Sequence, residues 1–131
     1  MKTILVLEDD ASNMRAFRTT LSSEGYCVLE ATTGNEAIEV GDSHAAIDLL
    51  VSDVRVPEPS GPAVALRLTN SHPSLGVLFV SGTPMDYWSK DDLDNFKQLP
   101  SDLVDFMEKP FRLSAFLNRV DELIKRHDSN E

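Results

Sequence analysis

The 131-residue chain is 41% hydrophobic and 26% charged, a size and mix that suit one domain with a buried core, spanning 1–131 with its core at about 3–127, and are too small for two. Its net charge of −10 leaves no basic stripe to displace phosphate counterions, which argues against direct nucleic-acid binding. No apolar run approaches the roughly 18 residues of a membrane span, and "MKTILVL" runs into acid too soon for a secretory leader; the expected compartment is the cytoplasm.

The first predicted strand, TILVLE (3–8), ends against three consecutive acids, Glu8, Asp9 and Asp10. Met14, Phe17 and Leu21 follow at helical spacing, with Asp10 expected as the N-cap or first-turn acid. YCVLEA (26–31) is the second strand, and its Cys27, the single cysteine, has no internal partner and is expected as a small buried hydrophobe. Ala37, Ile38 and Val40 mark a second helix, and IDLLVSD (47–53) the third strand. The breaker cluster PEPSGP (57–62) precedes a third helix carried by Val64, Leu66 and Leu68. GVLFVS (76–81) is the fourth strand. Beyond Gly82, Tyr87 and Trp88 are expected to lie partly buried over the sheet, with the charged run SKDDLDN on the solvated side. LVDFME (103–108) is the fifth strand, and Leu113, Phe116, Leu117, Val120, Leu123 and Ile124 outline the clearest amphipathic helix. Only HDSNE follows, so no output domain is expected, and Met1 is expected to be the native start.

Several strands are too continuously apolar for a half-exposed sheet and should be covered on both faces. Five strands alternating with helices predict an α/β fold: a doubly wound parallel sheet with right-handed crossovers. Ligands in such sheets collect beyond the carboxyl ends of the strands. Those ends bring Glu8 and Asp9, Asp53, Ser81 with Gly82, and Lys109 with Pro110 to one edge. Three carboxylates alone repel and raise one another's pKa; one lysine leaves a formal −2, which a hard divalent cation neutralises. Oxygen ligands without His or Cys suit Mg2+, and a carboxylate beside Mg2+ and a lysine is a competent phosphoryl acceptor. Blander alternatives stand beside each residue: Glu8 and Asp9 as helix N-terminal acids, Asp53 as a loop aspartate, Ser81-Gly82 as a turn, Lys109 as a solvated lysine. Pro110 fits a fixed, cis-proline loop for Lys109.

The segments ILVLEDD, DLLVSDVRVPEPSG, VLFVSG and EKPF, in that order, resemble the receiver domain of two-component response regulators. The similarity runs from Thr3 to about His127. Its most specific parts are the acidic pair after strand one, an Asp followed four residues later by Pro and eight later by Gly, and Lys-Pro-Phe after the last strand. The resemblance implies a flavodoxin-like five-stranded sheet of order 2-1-3-4-5. It implies that Asp53 accepts a phosphoryl group from a sensor histidine kinase or phosphotransfer protein. Asp9 and Asp53 would then bind Mg2+ directly, Glu8 through water, and the backbone carbonyl of Arg55 would be a further ligand. Lys109 would contact the phosphoryl oxygens and Asp53, Ser81 would donate its hydroxyl, and the Gly82 amide would lie beside it. Phe106 matches the family's aromatic switch position, with a plain core role as the alternative.

A receiver of this kind is no turnover enzyme beyond its own phosphorylation and dephosphorylation. It would act on an unidentified downstream protein, as a monomer or a phosphorylation-dependent dimer. Two features depart from the family pattern. The segment from Thr83 to Asp102 is longer than usual by more than a helical turn, so the fourth helix or its flanking loops must be enlarged or displaced. Arg55 and Thr83 flank the phosphoryl site, Arg55 either facing solvent or pairing with an acid across the mouth. Two other classes stay open: a degenerate receiver serving as a constitutive interaction module, and a Mg2+ phosphatase. The latter would want an Asp-x-Asp pair, where residue 55 is Arg.

Overall fold

Alternating apolar runs and helical stripes assemble, in a computed structural model that describes residues 1–131, into five parallel strands wrapped by helices. The strands are β1 (Thr3–Leu7), β2 (Cys27–Ala31), β3 (Leu49–Ser52), β4 (Gly76–Ser81) and β5 (Val104–Glu108). The helices are α1 (Ala11–Ser23), α2 (Gly34–Ser43), α3 (Gly61–Ser71), α4 (Lys90–Lys97) and α5 (Leu113–Ser129), with a 3-10 turn at Met85–Tyr87. The sheet order is β2-β1-β3-β4-β5, as expected.

Because successive strand residues point to opposite faces, each central strand feeds two cores. Ile4, Val6, Val51, Leu78 and Val80 pack with Met14, Phe17 and Leu21 of α1 and Phe116, Val120 and Leu123 of α5. Leu5, Leu7, Leu50, Val77 and Phe79 pack on the other face with Ala37 of α2 and Val64, Ala65 and Leu68 of α3. This double coverage explains the continuous apolar runs. Helix starts are written locally: Asp10, Thr33, Ser60 and Ser89 each accept a hydrogen bond from a first-turn amide. Gly25, at φ +88°, ends the first helical unit in the left-handed region that favours glycine.

The structure corrects three expectations. Cys27 is half-buried rather than buried, because β2 is an edge strand with partly open faces. Tyr87 and Trp88 part company: Tyr87 is 72% exposed, whereas Trp88 is 6% exposed and packs into the core. Finally, the strands predicted over 3–8 and 47–53 end at Leu7 and Ser52, so Glu8 and Asp53 lie just beyond the sheet. The segment expected to be lengthened, Thr83 to Asp102, holds the 3-10 turn, its loops and an α4 of eight residues.

Candidate functional site

Strand register brings the site together. Leu7 is paired with Ser52, so the next residues, Glu8 and Asp53, leave the sheet side by side. Ser81 is paired with Glu108, which delivers Lys109 to the same edge, and the Lys109 amide donates to the Ser81 carbonyl at 2.8 Å.

Lys109 is the hub. Its Nζ donates to Glu8 Oε1 at 2.9 Å and to Asp53 Oδ2 at 3.2 Å. Glu8 is 1% exposed, and its Oε2 accepts the Asp10 amide at 3.1 Å. Burial pushes the Glu8 carboxyl above its ordinary range, against the opposing pull of Lys109 and the Asp10 amide. Burial would lower Lys109, but its bond to Glu8 and the charge of Asp53 outweigh it and hold the ammonium above its ordinary value. The other oxygen of Asp53, Oδ1, accepts the Val54 amide at 2.7 Å, which fixes the carboxylate plane.

Asp9 is exposed, yet one carboxylate oxygen from each of Glu8, Asp9 and Asp53 lies within 4.8 Å of the others. All three donors are oxygen, and one ammonium faces three anions. That donor set and residual charge fit a hard divalent cation such as Mg2+. Arg55 is exposed and makes no ion pair; its amide stands 3.4 Å from Asp53 Oδ1. The side chain therefore faces solvent rather than closing the mouth.

Ser81 is buried, and its Oγ accepts the Thr83 amide at 3.1 Å. The hydroxyl proton takes no part in that bond. Gly82 is exposed, with open space where a Cβ would stand. Neither Ser81 nor Gly82 hydrogen-bonds the carboxylates. Phe106 is half-buried and packs edge-on against Trp88, ring centroids 5.3 Å apart.

Two residues noted in the sequence have contacts there that only the structure shows. Trp88 donates its indole N–H to the Thr83 carbonyl at 3.0 Å and meets Phe79 and Phe96 edge-on, linking the loop after Ser81 to Phe106. Its only sequence signal was a tryptophan in an otherwise polar stretch. Gly61 is the second: a Cβ there would sit 2.1 Å from the Asp53 carbonyl oxygen. The glycine eight residues after Asp53 thus lets α3 begin against the loop that carries Asp53.

The family model of the response regulator receiver domain matches residues 4–121. Sensor kinase CckA of Brucella abortus is 36% identical over 129 residues, a match covering 96% of this chain and 13% of that protein. The response regulator receiver protein CpdR of the same organism is 29% identical, covering 95% of this chain and 98% of that protein. The crystal structure of a response regulator receiver protein from Sinorhizobium medicae superposes with a TM-score of 0.83 at 30% identity, covering 96% of both chains.

Proposed function

The chain belongs to the response regulator receiver family, and from that membership we propose that it is a phosphorylation-driven switch. Asp53 would take a phosphoryl group from a sensor histidine kinase or a phosphotransfer protein. In that step a carboxylate oxygen of Asp53 bonds to phosphorus, the phosphorus–nitrogen bond of the donor phosphohistidine breaks, and the released imidazole takes up a proton. The observation that carries this reading is the bridge of Lys109 between Asp53 and buried Glu8, with Asp9 close by.

Each residue has a distinct task. Glu8, Asp9 and Asp53 would hold a Mg2+ ion, which supplies neutralising charge for the phosphoryl oxygens. Lys109, already 3.2 Å from Asp53, orients the acceptor and would then pair with the new phosphoryl oxygens. Ser81 has its hydroxyl proton available for one of those oxygens.

Drawing Ser81 towards a phosphoryl group would pull on Thr83, and through the Thr83 carbonyl on Trp88, against which Phe106 packs. The surface of α4, β5 and α5 is thereby biased between two arrangements, the phosphoryl group shifting their populations. Phe106 has no hydroxyl, so packing alone holds either position. The reading makes this a signalling module rather than a turnover enzyme, working on a downstream protein as a monomer or a phosphorylation-dependent dimer. No helix is long and apolar enough to cross a membrane.

The test is intact-protein mass after incubation with acetyl phosphate, with and without Mg2+, on the wild type and Asp53→Asn. The expected result is a gain of one phosphoryl group that requires both Mg2+ and Asp53. No gain under any condition would overturn the switch and leave a phosphorylation-independent binding module.

A further inference from the structure

We propose that Asp48, His127 and Glu131 form a second metal site, for a first-row divalent transition ion such as Zn2+, at the end of the sheet opposite Asp53. Asp48 precedes β3 and Asp53 follows it, so the two sites lie at opposite ends of one strand.

The argument starts at His127, on the last turn of α5 and 2% exposed. Its Nδ1 lies 2.6 Å from the Ser74 carbonyl oxygen. A carbonyl only accepts, so Nδ1 carries the hydrogen, and it is Nε2 that offers a lone pair to a metal in the ring's neutral form. Nε2 is buried and makes no hydrogen bond, although Asp48 Oδ1 and Glu131 Oε1 stand 2.8 and 2.9 Å away. Neither oxygen lies in line with the ring nitrogen, so a proton there serves neither well. A metal bonded at about 2.0–2.2 Å to nitrogen and carboxylate oxygen in a tetrahedral set places its ligand atoms roughly 3.3–3.6 Å apart, so the two carboxylate oxygens need move outward by only about half an ångström to admit an ion on the ring axis.

The surroundings are those of a built ligand set. The Nδ1–H bond to a backbone carbonyl fixes the tautomer, and Asp48 Oδ2 accepts the Thr3 amide at 2.7 Å, which turns Oδ1 towards His127. Glu131 lies two residues beyond the end of α5, where its amide, 3.4 Å from the Asp128 carbonyl oxygen, continues the turn and its carboxylate reaches back to His127. A cleft of about 160 Å³, lined among others by Asp48, Ser74, His127 and Glu131, opens the site to solvent. Lys2 is the nearby cation, 4.0 Å from Asp48 Oδ1, and it also pairs with Asp128. An imidazole with two carboxylates selects a transition ion, whereas the oxygen-only set around Asp53 suits Mg2+. Bound there, the ion would clip the end of α5 to the start of β3, leaving a fourth position for water.

The test is calorimetric titration of the full chain with Zn2+ in excess Mg2+, alongside thermal unfolding with and without Zn2+. Glu131→Gln and Asp48→Asn probe the site; exposed His44, whose Nδ1 faces the Val40 carbonyl, gives His44→Gln as control. One equivalent of Zn2+ should bind and raise Tm. Outer-shell groups alone are worth about 10–100-fold in affinity, so losing a direct ligand should weaken binding at least about tenfold, with His44→Gln unchanged. Since Glu131 is 59% exposed, Glu131→Gln decides the matter even if Asp48→Asn folds poorly. The absence of saturable binding, or equal binding by wild type and Glu131→Gln, would overturn the proposal.

Discussion

Lys109 and Glu8 illustrate how one residue sets another's behaviour. The folded-state pKa of Glu8 lies above its ordinary 4.5, so the native state binds that proton more tightly than the unfolded chain. Its contribution to stability is full below about pH 4.5 and is lost as pH rises through the raised value. Lys109 opposes this loss. In Lys109→Met the Glu8 pKa climbs further and the loss extends to higher pH. Relative to wild type, the variant should therefore be worse off near pH 8 than near pH 4.5, by about 1–3 kcal/mol, the worth of a hydrogen bond to a charged group. Urea unfolding in EDTA at both pH values measures it, and a difference independent of pH would sink the assignment. Gly61 works through space instead of charge. Gly61→Ala places a methyl 2.1 Å from the Asp53 carbonyl and 2.7 Å from Ser52 Oγ, so α3 must shift at a cost of about 1–3 kcal/mol. Asp53 moves with the loop, and its phosphorylation by acetyl phosphate should slow; a wild-type rate would show that the close approach is dispensable.

At the level of elements, the connection between β4 and α4 acquires its meaning from one side chain. Trp88 is the only tryptophan and touches both ends of the proposed relay, Thr83 by hydrogen bond and Phe106 by its ring edge. Its fluorescence should therefore change when acetyl phosphate and Mg2+ are added to wild type, and not in Asp53→Asn. An unchanged spectrum in protein shown by mass to be phosphorylated would remove Trp88 from the relay. Trp88→Phe should keep much of the packing while losing the bond to Thr83, costing about 0.5–1.5 kcal/mol from that bond. The same element shows why Tyr87 and Trp88 were hard to separate in sequence. Tyr87 ends the 3-10 turn and Trp88 follows it in extended conformation, so their side chains point in different directions, and only the position of Phe79, Phe96 and Phe106 decides which ring is covered.

Across the whole molecule, the parallel α/β layout and the convergence of Glu8, Asp9, Asp53, Ser81 and Lys109 on one edge were readable because both are carried by local pattern, whereas the strand order β2-β1-β3-β4-β5 was expected only from the family resemblance. Each strand announces itself by its apolar run, and parallel strands joined by crossovers all end on the same side, so a residue just past a strand has its address written beside it. Asp10 was legible as a cap for the same local reason. What tertiary structure alone decided are contacts between segments distant in the chain. The half-exposure of Cys27 depends on β2 lying at the edge, the need for glycine at Gly61 on how close α3 comes to Asp53, and the burial of Trp88 on aromatic partners from β4, α4 and β5. The meeting of Asp48, His127 and Glu131 joins the start of β3 to the end of α5, and no spacing in the sequence records it, because such contacts are set by how helices pack across the sheet rather than by periodicity within any one segment.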